Sequence, residues 1–272
     1  MKISFIGAGS MAEAIIAGLI EKGISKSEDI YVTNRSDETK LAELAERYGI
    51  RPTYDTGELL EGANAIVFAV KPKDAEAALQ KIAGRIHEHT LFISVMAGIP
   101  ISFMEDVAGK DLAIARAMPN TSASIGKSAT ALSFNGNVTE NHRQLAVTLF
   151  SSIGMTAIVE EQKLDAITAL SGSGPAYFYY VVEAMERSAQ EIGLESDTAK
   201  QLIIQTIMGA AEMLSTGKEA ADLRIAITSP GGTTEAGIGV LKQKGVEDAF
   251  VQCIKAAAEQ SKRLGSMYQT TK

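Results

Sequence analysis

The sequence has few of the residues on which several classes of protein depend. Its 272 residues include one cysteine, no tryptophan and three histidines. The single cysteine, Cys253, excludes an internal disulfide framework and fits a reducing cytoplasm. No window reaches the roughly 18 uncharged apolar residues of a membrane span, and the first residues lack a secretory pattern. We expect a cytoplasmic protein with no membrane partner.

Basic residues are also in deficit. The formal net charge is −7, whereas binding to a nucleic-acid backbone requires a basic surface. We therefore expect no nucleic-acid partner. An acidic protein can still bind a small anion, provided that a local cluster of donors surrounds it.

The usual catalytic side chains are scarce as well. His87, His89 and His142 show no metal-ligand spacing, so no metal site is predicted. Cys253 lies in an apolar helical pattern, which favours a core position over a nucleophile. Neither a G-x-S-x-G elbow nor a phosphate-loop lysine is present.

The first part of the chain alternates between short apolar runs and helical patterns. Because the runs are almost continuously apolar, they predict strands buried on both faces, as in a parallel sheet covered by helices. The predicted strands are Lys2–Ile6, Ile30–Thr33, Ala65–Val70, Leu91–Val95, Leu112–Met118, Thr130–Phe134 and Thr156–Val159. The predicted helices between them are Met11–Lys22, Glu38–Tyr48, Asp74–Ile82, Ile101–Ala108 and Glu140–Ser152. This βαβ spacing predicts an α/β fold with an N-terminal Rossmann-type doubly wound sheet.

The second part shows helical patterns only. Pro175–Ile192 has a helical apolar period, Thr198–Leu214 is apolar almost all round, and Glu247–Met267 forms the last predicted helix. A small all-α domain cannot bury Thr198–Leu214 by itself, so we expect a partner subunit to cover it. We predict a boundary near residue 160, which gives domains 1–160 and 161–272.

A dinucleotide fingerprint joins the first strand to the first helix. It has the form G-x-G-x-x-A, in which Gly7 allows a tight turn, Gly9 admits the pyrophosphate and Ala12 packs helix on strand. An ordinary glycine-rich turn is the alternative. The segment predicted to contact the cofactor here is Ile6, Gly7, Ala8, Gly9, Ser10 and Met11.

The end of the second strand discriminates between cofactors. NAD-binding chains usually place an acid there for the ribose hydroxyl, whereas this chain has Asn34 and Arg35. These side chains can donate to a 2′-phosphate, so NADP is favoured, with NADH kept as a second cofactor. A solvated loop arginine is the alternative interpretation of Arg35.

Later strand ends are expected to face the nicotinamide half, because ligands bind at the carboxyl ends of strands in open α/β sheets. The predicted contacts are Ala69, Val70, Lys71, Pro72, Met96 and Ala97. For Lys71, an ordinary surface lysine is the alternative.

With a nicotinamide cofactor expected, the scarcity of catalytic side chains is informative. In a hydride transfer the cofactor carries the chemistry, and an iminium acceptor needs no strong acid, unlike a ketone. The inventory favours an imine substrate.

Two segments of the helical half are not explained by packing. One spans 170–177 and contains Ser-Gly-Ser-Gly-Pro; the other spans 228–237 and contains Ser-Pro-Gly-Gly-Thr-Thr. A Gly-Gly turn with hydroxyl groups at a helix N-terminus suits a carboxylate. Capped interhelix loops are the alternative.

Together these features resemble the pyrroline-5-carboxylate reductase family. The resemblance rests on Phe5–Gly9, Ala69–Pro72, Met118–Thr121, Leu170–Tyr177 and Ser229–Thr234, and it spans nearly the whole chain. It implies an NADPH-dependent reduction of the C=N bond of 1-pyrroline-5-carboxylate to L-proline, the last step of proline biosynthesis.

The resemblance also implies particular site residues and an assembly. Ser229, Gly232, Thr233 and Thr234 would hold the substrate carboxylate, Thr234 would also hydrogen-bond the ring nitrogen, and Asn120 would line the nicotinamide side. Family members form dimers, often assembled into decamers, so domain 161–272 would bind substrate and dimerise. The alternatives are another imine or β-hydroxyacid reductase of the same plan and a non-catalytic nucleotide-binding regulator.

Overall fold

The strands form one sheet in the computed structural model, which describes residues 1–108 and 112–268. Eight strands of that part of the chain pair in the order β3-β2-β1-β4-β5-β6-β7-β8, all parallel except β6 with β7. They are β1 Ile3–Ile6, β2 Ile30–Thr33, β3 Arg51–Pro52, β4 Ala65–Phe68, β5 Leu91–Ser94, β6 Ala113–Met118, β7 Ser128–Phe134 and β8 Gly154–Ile158. The predicted doubly wound α/β sheet is confirmed.

The helices between strands are α1 Ser10–Glu21, α2 Glu38–Tyr48, α3 Thr56–Leu60, α4 Ala75–Ile82, α5 Ile101–Ala108 and α6 Glu140–Ser151. After β8 come α7 Leu164–Ile167, α8 Gly174–Glu191, α9 Ser196–Ser215, α10 Ala220–Ala226, α11 Thr233–Gln243 and α12 Val246–Ser266. The predicted elements agree to within two residues at their ends. Four short elements, β3, α3, α7 and α10, were not predicted, because they are too short to show a period.

Two apolar cores cover the two faces of the sheet. Phe5 and Ile15 belong to the core between the sheet and α1, α2 and α6, whereas Phe68 and Phe92 belong to the other face. Each of these side chains is fully buried. Because β1 pairs with both β2 and β4, the strand order reverses beside β1, and the crevice for a ligand opens at the carboxyl ends of these strands.

Contacts divide the chain into two compact units. The α/β unit comprises residues 1–173 and the segment from Ala256 onward, and the helical unit comprises residues 174–255. The last four residues of predicted domain 161–272 lie outside the described part of the chain. No helix within the described residues is long and apolar enough to cross a membrane.

The helical unit leaves much of its apolar surface exposed in the single chain. In α9, predicted to need a partner, Leu202 is 58% exposed and Met208 is 52% exposed, whereas Ile203 is buried. Cys253, predicted to lie in the core, is exposed. That prediction was wrong because an apolar helical pattern identifies a face to be covered, but not whether the same chain covers it.

Candidate active site

A cavity of about 740 Å³ opens where β1, β2 and β4 end. Its wall contains many of the side chains predicted to bind a cofactor: Ile6, Gly7, Gly9, Asn34, Arg35, Ala69, Val70 and Lys71. These residues come from three separate strand ends, so the sheet brings together positions up to 65 residues apart in the chain. The predicted juxtaposition of the glycine turn with the ends of β2 and β4 is present.

The glycine turn has the geometry that a pyrophosphate requires. Gly7 has φ +112°, and a Cβ there would overlap the carbonyl oxygen of Ala69, so only glycine fits. Gly9 caps α1 without any side-chain hydrogen bond, and a Cβ there would meet no atom within 4 Å. The start of α1 is therefore uncrowded at Gly9, and its first N–H groups lie at the positive end of the helix dipole, where an anionic group binds well.

The charged residues of the cavity wall are mostly basic. Besides Arg35 and Lys71, which were predicted, it contains Lys73 and Lys81, which were not, and one acidic residue, Asp74. The surplus of positive charge suits a ligand with several phosphate charges. Charge alone did not identify Lys73 and Lys81 in the sequence, because exposed lysines are common on the helices of any soluble domain.

Asn34 and Arg35, both predicted to bind the cofactor, make different contacts in the turn after β2. The Asn34 side chain donates to the Asp37 carbonyl at 2.6 Å and accepts from the Asp37 N–H at 2.9 Å, so it shapes the turn. The Arg35 side chain is 87% exposed and lies 3.8 Å from the Asp74 carboxylate. Arg35 is therefore the residue of this pair with donors available to a ligand.

Tyr54, not singled out in the sequence, also contacts this turn. Its hydroxyl donates to Asn34 Oδ1 at 3.0 Å. Loss of hydration, followed by the Glu38 and Asp37 carboxylates, raises the pKa of Tyr54. The phenol therefore stays protonated at neutral pH and remains a hydrogen-bond donor to the turn.

A half-buried carboxylate, that of Glu13, joins α2 to α1. Glu13 accepts hydrogen bonds from Lys40 at 2.8 Å, Arg47 at 2.7 Å and Tyr48 at 3.2 Å. The hydrogen bond from Lys40 is the main cause that lowers the pKa of Glu13. Because α2 begins directly after the turn that carries Arg35, this cluster also holds that turn in place.

Seven predicted cofactor residues do not line the cavity: Ala8, Ser10, Met11, Pro72, Met96, Ala97 and Asn120. Ser10 and Met11 form the first turn of α1, and Pro72 begins a 3₁₀ turn beside Lys71. In the loop after β5, Met96 is buried and Ala97 is exposed.

Asn120 joins the end of β6 to the Ser-Gly-Ser-Gly segment. Its side-chain amide donates to the Ser171 carbonyl at 3.0 Å, and its Oδ1 accepts from the Ser122 N–H at 3.1 Å. Ser171 lies in a π-helical turn, Thr168–Gly172, of a kind often found at functional positions. The contact between these two segments is a tertiary feature that their separate sequences do not reveal.

The predicted substrate loop, 229–234, precedes α11 in the helical unit. Gly231 has φ +74°, its N–H donates to the Glu235 carboxylate at 2.8 Å, and the Gly232 N–H donates to the Ser229 carbonyl at 3.0 Å. The first N–H groups of α11, those of Thr233 and Thr234, lack intrahelical acceptors, as at any helix start. Thr234 is half-buried.

Titratable side chains elsewhere do not converge as metal ligands. Within residues 1–108 and 112–268, no group of three or more His, Cys, Asp and Glu side chains is placed to hold a metal ion.

Comparison with known proteins supplies the family. Residues 161–264 match the model "Pyrroline-5-carboxylate reductase dimerisation", and residues 2–98 match "NADP oxidoreductase coenzyme F420-dependent". Pyrroline-5-carboxylate reductase 2 of Bacillus subtilis (strain 168) is 47% identical over 268 residues, which is 98% of this chain and 96% of the relative. The chain belongs to the pyrroline-5-carboxylate reductase family. The resemblance recognised in the sequence is confirmed.

Solved structures agree with this membership. A pyrroline-5-carboxylate reductase from Coxiella burnetii superposes with a TM-score of 0.90 at 38% identity, over 97% of this chain and 98% of that one. Pyrroline carboxylate reductase from Plasmodium falciparum, solved with NADP bound, gives a TM-score of 0.88 at 29% identity, with the same coverage. The chain is thus an oxidoreductase with a Rossmann-type domain and a region that matches a dimerisation domain.

Proposed function

We propose that this chain transfers a hydride from NADPH to the C=N carbon of 1-pyrroline-5-carboxylate and so forms L-proline. The observation that carries the proposal is the basic cavity at the ends of β1, β2 and β4, in a chain of this family. Its glycine turn, free helix N-terminus and lysine-rich wall fit a dinucleotide with an additional phosphate.

The residues of the cavity would bind different parts of the cofactor. The N–H groups at Gly9, Ser10 and Met11 would hold the pyrophosphate, and Arg35 with Lys73 would hold the 2′-phosphate. Ala69, Val70, Lys71, Pro72, Met96 and Ala97 would line the path towards the nicotinamide. When bound, NADPH supplies the hydride.

The loop 229–234 would hold the substrate. Ser229 and the N–H groups of Thr233 and Thr234 would bind its carboxylate, with Gly232 giving the turn its shape. The Thr234 hydroxyl would accept a hydrogen bond from the protonated ring nitrogen and orient the C=N bond. Hydride addition to this iminium carbon moves the C=N electron pair onto nitrogen and gives a neutral amine. No proton donor is required in that step.

The functional parts would be distributed between two domains and two subunits. We propose residues 1–160 as the NADP-binding domain and 161–272 as the substrate-binding and dimerisation domain. The exposed apolar side chains of α9, Leu202 and Met208 among them, support a homodimer in which a partner's loop completes the site. A decamer built from such dimers, and a cytoplasmic location, stay predictions from the sequence.

The decisive experiment follows NADPH oxidation by the purified chain with 1-pyrroline-5-carboxylate, beside parallel assays with NADH and with pyrroline-2-carboxylate. We expect turnover with the first substrate and identify the product as proline by chromatography. Absence of turnover at any enzyme concentration contradicts the proposal.

Thr234→Ala tests the substrate loop in the same assay. It should lower kcat/KM for the substrate about 10- to 100-fold, because an oriented hydrogen bond is lost, and leave NADPH binding nearly unchanged. Thr228→Ala, one residue before the loop, is the matched control. An equal loss of NADPH binding would show that the loop has another role.

A further inference from the structure

The loop between β5 and α5, residues 95–100, is held by parts of the chain that are far away in sequence. We propose that the last turns of α12 position this loop, and with it Met96 and Ala97, against the nicotinamide half of the cofactor. This inference rests on the proposed function for the role of the loop, but the contacts that carry it lie wholly within the α/β unit.

The central contact is a close approach of two glycines. A Cβ on Gly265 of α12 would lie 3.2 Å from the Gly98 carbonyl oxygen, and a Cβ on Gly98 would lie 3.4 Å from the Gly265 N atom. Gly98 also has φ +73°. Backbone therefore packs on backbone across 167 positions of sequence, and any larger residue at 265 has to push the loop or the helix aside.

Two more contacts come from the same face of α12. The Ser261 hydroxyl, on a residue only 6% exposed, donates to the Asp165 carboxylate at 2.6 Å. The Tyr268 ring, just beyond the helix end, meets the Phe103 ring of α5 edge-on, with 5.3 Å between centroids. Positions 261, 265 and 268 are spaced by four and three residues, which places them on one helix face. The last two turns of α12 and the residue just beyond them therefore contact the rest of the α/β unit at three successive positions.

The opposite end of the loop has its own anchor. Glu161 accepts a hydrogen bond from the Ile101 N–H at 2.8 Å and one from the Arg116 guanidinium at 2.7 Å. The Arg116 side chain is 10% exposed and extends from the neighbouring strand β6. This ion pair fixes the start of α5, where the loop ends.

Between these two anchors the loop is not packed continuously. A cavity of about 300 Å³ lies among Gly98, Pro100, Arg116, Asp165 and Gly265. Met96 and Ile99 are buried in the core on this face of the sheet, whereas Ala97 is exposed. The close contact between Gly98 and Gly265 adds a restraint from α12 on the backbone directly beside Ala97, so a displacement of Gly98 also displaces Ala97 and Met96.

Gly265→Ala and Gly265→Val form a graded test. Both should increase amide hydrogen exchange in peptides covering residues 95–101 of the protein without cofactor, with the valine variant more affected. Turnover with NADPH should fall about 10-fold or more for the valine variant, because small displacements of reacting groups are costly. The primary isotope effect with 4-deuterated NADPH should rise, since hydride transfer becomes more rate-limiting.

Ser261→Ala is a milder variant that keeps the glycine contact. It can be measured in place of Gly265→Val if that variant does not fold. It should give a smaller change in the same direction. Glu259→Ala, at an exposed position whose carboxylate pairs with Lys262 on the same helix, is the control and should behave as the parent chain. Unchanged exchange in residues 95–101 for Gly265→Ala and Gly265→Val would overturn the proposal.

The exchange measurement separates this inference from the proposed function. If the parent chain shows no turnover with 1-pyrroline-5-carboxylate, the proposed substrate is wrong, yet the exchange result still decides whether α12 positions the loop. If the parent chain turns over and the Gly265 variants keep its kcat and isotope effect, the proposed function stands and the positioning role is refuted.

Discussion

The α/β unit and the helical unit satisfy their apolar side chains in different ways. In the former, Phe5, Phe68, Phe92 and Phe150 are completely buried. In the latter, Phe178 is 66% exposed, Tyr180 74% and Leu202 58%. A self-sufficient domain buries its large aromatics, because each contributes about 1.5–3 kcal/mol on burial. The α/β unit therefore buries its large apolar side chains within the chain, whereas the helical unit leaves a surface that a second chain could cover.

The largest expected effect is the difference in unfolding free energy between the same substitution, Phe to Ala, made in each of the two units. Phe92→Ala should lower the free energy of unfolding by about 3–5 kcal/mol, because it leaves a cavity in a packed core. Phe178→Ala should cost less than about 0.5 kcal/mol within a single chain. Chemical denaturation at several protein concentrations measures both, and the Phe178 effect should appear only as a concentration dependence. Equal losses at all concentrations would contradict the contrast.

A charged α9 tests the surface directly. Leu202→Asp with Met208→Asp should raise the dimer dissociation constant about 100-fold or more, because buried apolar anchors carry most interface energy. The sedimentation coefficient and the turnover should both decrease, while NADPH binding persists. Lys218→Glu, in the turn after α9, is the control. A variant that stays dimeric and active would show that α9 is not the interface.

Within the α/β unit, Glu13 tests a polar contact instead of an apolar one. Glu13→Gln should destabilise the chain by about 1–2 kcal/mol at neutral pH, because three donors lose a charged acceptor. Since folding lowers the pKa of Glu13 from the ordinary value of 4.5, its stabilisation is present above that value and is lost as the pH falls through the lowered one. The difference between the two proteins should therefore vanish in acid. Glu28→Gln, at an exposed pair, should show no such pH dependence.

The smallest expected effect is a change in the KM for NADPH when Arg35 or Asp74 of the cavity wall is substituted. Arg35→Ala should raise the KM for NADPH about 3- to 10-fold and leave that for NADH nearly unchanged, because only NADPH carries the 2′-phosphate. Asp74→Asn, which removes the partner at 3.8 Å, should lower the KM for NADPH by a factor of about two. Glu76→Gln, on the adjoining turn of α4, is the control. Equal changes with both cofactors would refute the phosphate role of Arg35.

Local patterns predicted much of the fold. The ends of β2, α2 and α5 agree with the sequence analysis because each has a clear apolar period or a strong end signal. Asp37, for example, caps α2 by accepting from the Lys40 N–H. The two-residue strand β3 and the five-residue helix α3 were missed because neither contains a full period.

In the candidate site, too, the residues in local motifs were predicted and those placed by tertiary contacts were not. Gly7 was identified because its positive φ and close approach to Ala69 follow from a known turn chemistry. Lys73 and Lys81 were not, because a lysine that lines a cavity looks the same in sequence as one on an open surface. The place of Asn120 on the nicotinamide side stays a prediction, whereas the hydrogen bond from its amide to the Ser171 carbonyl could not be predicted, because it depends on which segment folds against it.

Motifs and apolar patterns predicted the doubly wound sheet, the glycine turn that begins α1 and the family, because each motif lies within a short stretch of the chain. The tertiary structure was needed to show that Gly265 packs on Gly98 and that Glu161 accepts hydrogen bonds from both Arg116 and Ile101. It also decided that Cys253 and much of α9 remain exposed. The physical reason is that periodicity records which face of an element is apolar, whereas the atoms that meet that face are chosen by packing between distant segments.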